Sequence, residues 1–117
     1  VYWEMDIKKD IARICNDGAK LLDVNLEFSH DLINHDNNYV GKKYGATTDE
    51  GIKAMKLLAN KEGIILDPVY TSKGFAALID YVRKGTIKKG ENVIFMFTGG
   101  SPAVFAYNEE LTNNSTH

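Results

Sequence analysis

The chain has 117 residues, of which 44% are hydrophobic and 26% charged, and its formal net charge is −2 at pH 7. These values are typical of one soluble globular domain, and they argue against a protein that binds nucleic acid or an anionic membrane through positive charge. The single cysteine, Cys15, excludes an internal disulfide framework and fits a reducing compartment. No apolar run reaches the length of a membrane span, so we expect a cytoplasmic protein.

The first part of the chain predicts a helix between two short strands. Val1–Glu4 has the composition of a strand, and because the chain begins there without an initiator methionine we expect a piece of a longer protein. Asp6 is a suitable N-cap for a helix over about 7–22, which has apolar residues at helical spacing. The alternating residues 24–28 predict an edge strand with one wet face.

A long polar connection follows over residues 29–46. Its length suggests a functional segment, because long connections in compact domains are seldom idle. His30 and His35, with two nearby aspartates, are candidate metal ligands by residue type. The two histidines do not have the i, i+4 spacing of a helical pair, and no cysteine lies nearby. We therefore assign no metal site.

Two further helices and a short strand are predicted between residues 47 and 85. Thr47-Thr48-Asp49-Glu50 has the Thr-x-x-Glu capping pattern that opens a helix, and Gly63 is suited to end it. Ile64-Ile65-Leu66 predicts a short buried strand. Gly85 ends the next helix, whose apolar residues at i, i+3, i+4 and i+7 are Phe75, Leu78, Ile79 and Val82.

The last predicted strand is Val93-Ile94-Phe95-Met96-Phe97. Five consecutive apolar residues leave no polar face, which is typical of a central parallel strand covered on both sides. Thr98-Gly99-Gly100-Ser101-Pro102 follows at its carboxyl end, where ligands bind in open α/β sheets. A plain strand-to-helix turn without a ligand explains the same residues equally well.

The order helix, strand, helix, strand from residue 47 predicts a right-handed βαβ unit. Both strands then point the same way, so Thr71 and Thr98 lie at the same edge of the sheet. The fold class is therefore α/β, a three-layer αβα arrangement with parallel strands. We expect a single α/β domain over residues 1–110, followed by a flexible polar tail over 111–117.

Three segments together carry a resemblance to a known family. They are Tyr44-Gly45 with Thr48-Asp49-Glu50-Gly51, then residues 62–73 with the sequence EGIILDPVYTSK, then Thr98-Gly99-Gly100-Ser101-Pro102-Ala103. In order and spacing they resemble the C-terminal part of the D-cysteine desulfhydrase and 1-aminocyclopropane-1-carboxylate (ACC) deaminase family. The resemblance implies a pyridoxal-phosphate enzyme of fold type II, with the fold of the tryptophan synthase β subunit. It also implies that this chain is the C-terminal part of the large domain of such an enzyme.

The resemblance also implies roles for five residues. Tyr44 and Tyr70 match catalytic tyrosines that face the substrate. Thr98 and Gly99 match the cofactor-binding turn beside the ring nitrogen, and Thr71 matches a position next to the cofactor. Family deaminases tend to carry Glu at the position of Thr71 and to lack the hydroxyl at that of Thr98, so both threonines favour D-cysteine desulfhydrase, which converts D-cysteine to pyruvate, sulfide and ammonia.

This preference has a chemical reason. A carboxylate beside the pyridine nitrogen keeps it protonated and makes the ring a strong electron sink, whereas a threonine hydroxyl donates to an unprotonated nitrogen. Loss of thiolate from Cβ requires less carbanion stabilisation than opening a cyclopropane ring. ACC deaminase, a hydrolase by reaction class, stays the alternative within the family.

Several parts of the family pattern do not occur in these residues. The Schiff-base lysine, the serine-containing substrate loop and the glycine-rich phosphate cradle would all lie upstream, and Lys73 is better explained as a surface or helix-start residue. We therefore expect the 117 residues to be inactive alone, and the remainder of the enzyme chain to be their partner. The family implies a homodimer at full length and a small amino acid as substrate.

Two alternatives of other classes remain. One is a small non-catalytic α/β domain with a ligand at the same sheet edge, which would leave the motif spacing to coincidence. The other is a structural or dimer-forming piece.

Overall fold

The computed structural model describes residues 6–113, so the strand expected over residues 1–4 lies outside the described part. The chain divides into two compact units, residues 1–38 and 39–117. The described elements of the first unit are helix α1, Ile7–Leu21, and a 3₁₀-helix, His30–Leu32. Those of the second are α2, Asp49–Glu62; α3, Thr71–Arg83; a 3₁₀-helix, Ser101–Tyr107; and α4, Asn108–Asn113.

The first unit is organised around α1. The Asp6 carboxylate accepts a hydrogen bond from the backbone N–H of Lys9 at 3.4 Å, which confirms Asp6 as the N-cap. The segment after the helix is held by Asn16, whose side-chain amide donates to the Phe28 carbonyl at 3.0 Å and accepts from the Phe28 N–H at 2.7 Å. This side chain satisfies the backbone groups that an edge strand would have paired with a neighbour.

In the second unit, α2 and α3 form the core. The N-cap of α2 is Thr48, whose Oγ1 accepts from the Gly51 N–H at 3.1 Å, so the helix begins one residue later than the predicted capping box implied. Gly63 ends α2 in the left-handed conformation, with φ +69°, as its position predicted. The buried apolar side chains of this core are Ile52, Ala54, Met55, Leu66, Pro68 and Ala76.

The described residues contain no strand, so the strands predicted over 24–28, 64–66 and 93–97 are not present in the structure. The prediction that 93–97 is covered on both faces is wrong for these residues. Phe95 contacts Phe75 of α3 edge-on, with ring centroids 5.3 Å apart, but Ile94 is 90% and Met96 74% exposed. A strand is stabilised by backbone partners in a neighbouring strand, and no described segment supplies them.

The 3₁₀-helix over Ser101–Tyr107 begins directly after Gly100 and has Pro102 in its first turn, where the fixed φ of proline is favourable. Helix α4 extends to Asn113, into the segment expected to be a flexible tail, and residues 114–117 lie outside the described part. No helix between residues 6 and 113 combines the length and the apolar composition that a membrane span requires.

Candidate cofactor- and substrate-facing site

One carboxylate, that of Asp67, fixes the turn that opens α3. Its Oδ1 accepts from the backbone N–H groups of Val69 at 2.8 Å and Tyr70 at 2.7 Å. Its Oδ2 accepts from the backbone N–H of Thr71 at 2.7 Å and from the Thr71 hydroxyl at 2.5 Å. Asp67 is only 4% exposed, so four donors converge on a buried anion at the N-terminus of a helix.

Burial by itself would raise the pKa of Asp67. The hydrogen bonds from the Thr71 hydroxyl and from the N–H groups of Thr71, Tyr70 and Val69 outweigh burial and hold the pKa below its usual value. Asp67 is therefore ionised at neutral pH, and its charge makes the turn rigid rather than reactive.

The turn Thr98-Gly99-Gly100 lies beside the Asp67 turn. Gly99 and Gly100 have φ of +91° and +89°, a conformation that glycine adopts without strain. A Cβ at Gly100 would lie 3.0 Å from the Cβ of Asp67, and the Ser101 hydroxyl donates to the Ile65 carbonyl at 2.6 Å. The two turns that the sequence placed at one sheet edge are thus brought together without a formed sheet.

Tyr44 and Tyr70 meet on the surface of the same turn. Their ring centroids lie 6.2 Å apart in an edge-on arrangement, and the two residues are 71% and 56% exposed. Hydrogen bonding to Tyr44, desolvation and the nearby negative charge of Asp67 raise the pKa of Tyr70. The Tyr70 phenol therefore stays protonated at neutral pH, where it can donate a hydrogen bond but is a poor base.

The loop that carries Tyr44 is held at two adjacent carbonyl groups. The Lys73 ammonium donates to the Ala46 carbonyl at 2.6 Å, and the Tyr107 hydroxyl donates to the Gly45 carbonyl at 2.8 Å. Burial lowers the pKa of Lys73, and the negative charge of Asp67 partly opposes this effect.

The structure gives the two threonines of the expected site different surroundings. The Thr71 hydroxyl is buried, where it donates to the Asp67 carboxylate and accepts from the Asp67 N–H at 2.9 Å. Thr98 is exposed, and the space where a Cβ would stand on Gly99 has no atom within 4 Å. Thr98 and Gly99 are accessible to a ligand, whereas the Thr71 hydroxyl acts inside the turn.

Sequence reasoning assigned no site role to Asp67, Lys73 or Tyr107. Asp67 had a local signal, because aspartate before proline at the start of a turn commonly accepts hydrogen bonds from the following N–H groups. Lys73 and Tyr107 contact carbonyls 27 and 62 residues away in the chain, and no periodicity marks such contacts.

The two histidines considered as metal ligands have no wider cluster around them. His30 lies 3.3 Å from a carboxylate oxygen of its neighbour Asp31. Within residues 6–113, no group of three or more His, Cys, Asp or Glu side chains could hold a metal ion.

Comparisons with known proteins give the class to which the chain belongs. Residues 7–99 match the family of pyridoxal-phosphate dependent enzymes. This match covers most of the chain, and the chain therefore belongs to that family, whose members depend on pyridoxal phosphate.

Two individual proteins are similar to the chain. One is the probable 1-aminocyclopropane-1-carboxylate deaminase of Cryptococcus neoformans var. neoformans serotype D, 39% identical over 100 residues, which are 86% of this chain and 29% of that protein. The other is the crystal structure of an ACC deaminase homologue, with 33% identity and a TM-score of 0.75 over 93% of this chain and 32% of that chain. The chain thus spans about a third of the length of these relatives.

The described residues fit only part of such a cofactor. The exposed Thr98 hydroxyl, the open backbone at Gly99 and the two accessible phenols suit its ring and the substrate. A phosphate commonly binds at a helix N-terminus, but the first N–H groups of α3 already donate to the Asp67 carboxylate. The N-terminus of α3 is therefore not free to bind the cofactor phosphate.

Proposed function

We propose that this chain forms the ring-nitrogen and substrate side of the site in a pyridoxal-phosphate enzyme that acts on a small amino acid. The observation that carries the proposal is the edge-on pair of accessible phenols, Tyr44 and Tyr70, on a turn that adjoins Thr98-Gly99-Gly100. Family membership favours an enzyme over the non-catalytic ligand-binding domain and over the purely structural piece considered from the sequence.

Each residue has a distinct task in this proposal. The bound cofactor supplies an electron sink for negative charge that develops at the substrate Cα. Thr98 donates a hydrogen bond to the ring nitrogen, and Gly99 lets the backbone come close to the ring because it lacks a side chain. Tyr70, kept protonated by its raised pKa, donates to the substrate, and Tyr44 orients the Tyr70 hydroxyl.

Within the family we propose D-cysteine desulfhydration, with ACC deamination as the alternative. Thr98 supports the first, since a neutral hydroxyl at the ring nitrogen gives only moderate carbanion stabilisation. Thr71 supports it indirectly. Its side chain lies on the Asp67 carboxylate, and a glutamate there would bring a second carboxylate to the same buried place. Both relatives are named for the ACC deaminase, so the two reactions must be distinguished by experiment.

Further properties of the whole protein belong to the same proposal. We infer a cytoplasmic homodimer in which residues from the rest of the enzyme complete an αβα sheet around the segment 93–97. Ile94 and Met96, which are exposed in this structure, would then be covered. The 117 residues alone would be inactive, because the residues that fit the cofactor include neither its covalent lysine nor its phosphate anchor.

The reaction is tested on the protein that carries this chain, with all of its encoded sequence. The purified protein is incubated with D-cysteine or with ACC, and sulfide and 2-oxobutanoate are measured as the respective products. We expect sulfide to be formed at the higher kcat/KM. A higher kcat/KM for 2-oxobutanoate formation from ACC would show the alternative to be correct. If neither sulfide nor 2-oxobutanoate is formed, the assignment of an enzyme that acts on these substrates is contradicted.

A further inference from the structure

We propose that Lys73 and Tyr107 are positioning residues that hold the Tyr44 loop by two adjacent carbonyl groups and thereby place the Tyr44 phenol against Tyr70. This inference deepens the proposed function and rests on it for the role of the two tyrosines. The contacts themselves are independent of any reaction.

The loop that carries Tyr44, residues 40–48, needs such anchors because the Tyr44 side chain contributes little packing. Residues 40–48 form no helix or strand, and Tyr44 is 71% exposed, so its ring gains little from burial. A short turn is closed by the Ala46 N–H, which donates to the Lys43 carbonyl at 3.1 Å. That bond shapes the loop internally but does not fix it to the rest of the unit.

Lys73 is enclosed in the loop rather than extended into solvent. A Cβ on the buried Gly41 would lie 2.7 Å from the Lys73 Nζ and 3.1 Å from the Ala46 oxygen. The ammonium therefore lies directly against Gly41, where a side chain would force the end of Lys73 to shift. A charged donor forms a stronger hydrogen bond with a carbonyl than a neutral donor does, and partial burial strengthens it further.

The two anchors come from the elements that follow the two turns of the candidate site. Lys73 lies in the first turn of α3, three residues after Tyr70, and Tyr107 ends the 3₁₀-helix that begins after Gly100. One bond therefore fixes the loop to the start of α3, and the other fixes it to the end of that 3₁₀-helix. Because the anchored carbonyls belong to consecutive residues, Gly45 and Ala46, together they restrict the orientation of the intervening peptide as well as its position.

The test uses the complete protein with three single variants and a control. Lys73→Met removes the ammonium at similar side-chain length, and Tyr107→Phe removes one oxygen atom. Tyr44→Phe defines the loss of the hydroxyl that the anchors position. Lys61→Met is the control, because Lys61 is an exposed lysine in the last turn of α2, far along the helix from the capped end.

The first readout does not depend on activity. The protein is labelled with ¹³Cζ-tyrosine, the Tyr70 signal is assigned with Tyr70→Phe, and its titration is followed by NMR. Since Tyr44 is the main cause of the raised pKa of Tyr70, we expect Lys73→Met to lower that pKa toward the ordinary value. Tyr107→Phe is judged by the second readout alone, because the Tyr107 phenol itself contributes to the raised pKa of Tyr70. Lys61→Met leaves it unchanged.

The second readout is a double-mutant cycle on the reaction. We expect Lys73→Met and Tyr107→Phe each to lower kcat/KM about tenfold, and to add little when combined with Tyr44→Phe, because they act through Tyr44. A Tyr70 pKa that stays raised in Lys73→Met, or losses that add fully to that of Tyr44→Phe, would overturn the proposal. If Lys73→Met fails to fold, the double-mutant cycle with Tyr107→Phe decides, and in a protein without activity the titration of Lys73→Met decides.

Discussion

At the scale of single residues, the chain separates polar groups that bond within a turn from side chains that are exposed. Asp67 and Thr71 belong to the motif that carries the family resemblance, yet their polar atoms bond to each other inside the turn. Tyr44, Tyr70 and Thr98 are exposed. Motif spacing predicts which residues belong to the site, but only the hydrogen bonds show which ones remain available to a substrate.

Asp67→Asn tests the shaping role. The amide of the variant retains one acceptor oxygen, but its NH₂ group faces donors whose hydrogen bonds the wild-type Oδ2 accepts. We therefore expect the free energy of unfolding to fall by about 2–3 kcal/mol. Denaturant unfolding of the complete protein measures it. Asp17→Asn is the control, because it removes only an exposed ion pair with Arg13 and should cost less than about 1 kcal/mol. Equal effects of the two variants would contradict a special role for Asp67.

The pH dependence of stability provides an independent check on Asp67. Its folded pKa lies below the unfolded value of about 3.9, so its contribution is fully present above that pH and is lost as the pH falls through the folded pKa. We expect the wild-type protein to lose more stability than Asp67→Asn between pH 5 and pH 2, both figures being approximate limits of that window. Parallel curves for the two proteins would show that the carboxylate is not stabilised in the fold.

At the scale of elements, local signals predicted well and non-local ones did not. Helix α1 ends one residue from its predicted limit, and Gly63 terminates α2 as expected, because caps and helical periodicity are encoded within a few residues. The segments 64–66 and 93–97 have the composition of buried strands, but a strand requires a partner that composition does not specify. The contacts of Lys73 and Tyr107 were missed for the same reason.

The approach of the two turns is tested by a matched glycine pair. Gly99 and Gly100 have nearly the same positive φ, but a Cβ on Gly100 meets the Asp67 Cβ at 3.0 Å, whereas one on Gly99 meets nothing within 4 Å. Both Gly→Ala variants carry backbone strain of about 1 kcal/mol or more. We expect Gly100→Ala to lose more stability than Gly99→Ala in denaturant unfolding without cofactor, by at least about 1 kcal/mol. Equal losses would mean that the turns do not touch.

At the scale of the whole molecule, the exposed apolar residues and the comparisons both fit a larger protein in which further residues cover this surface. Ile65, Ile94 and Met96 are 50%, 90% and 74% exposed in a chain that spans about a third of the length of its relatives. Family membership and the cofactor follow from similarity over most of the chain. In our proposal the choice between desulfhydration and deamination depends on Thr71 and Thr98, so substitutions at these two residues test it.

We propose that Thr98 lies at the cofactor ring nitrogen, and the ¹⁵N chemical shift of pyridoxal phosphate labelled at that nitrogen measures this contact. The measurement is made on the complete protein with Thr98, Thr98→Ser and Thr98→Val. We predict that wild type and Thr98→Ser share a hydrogen-bonded, unprotonated shift, and that Thr98→Val moves it toward a pyridine nitrogen without a donor. An identical shift in all three proteins would show that the Thr98 hydroxyl does not contact the ring nitrogen.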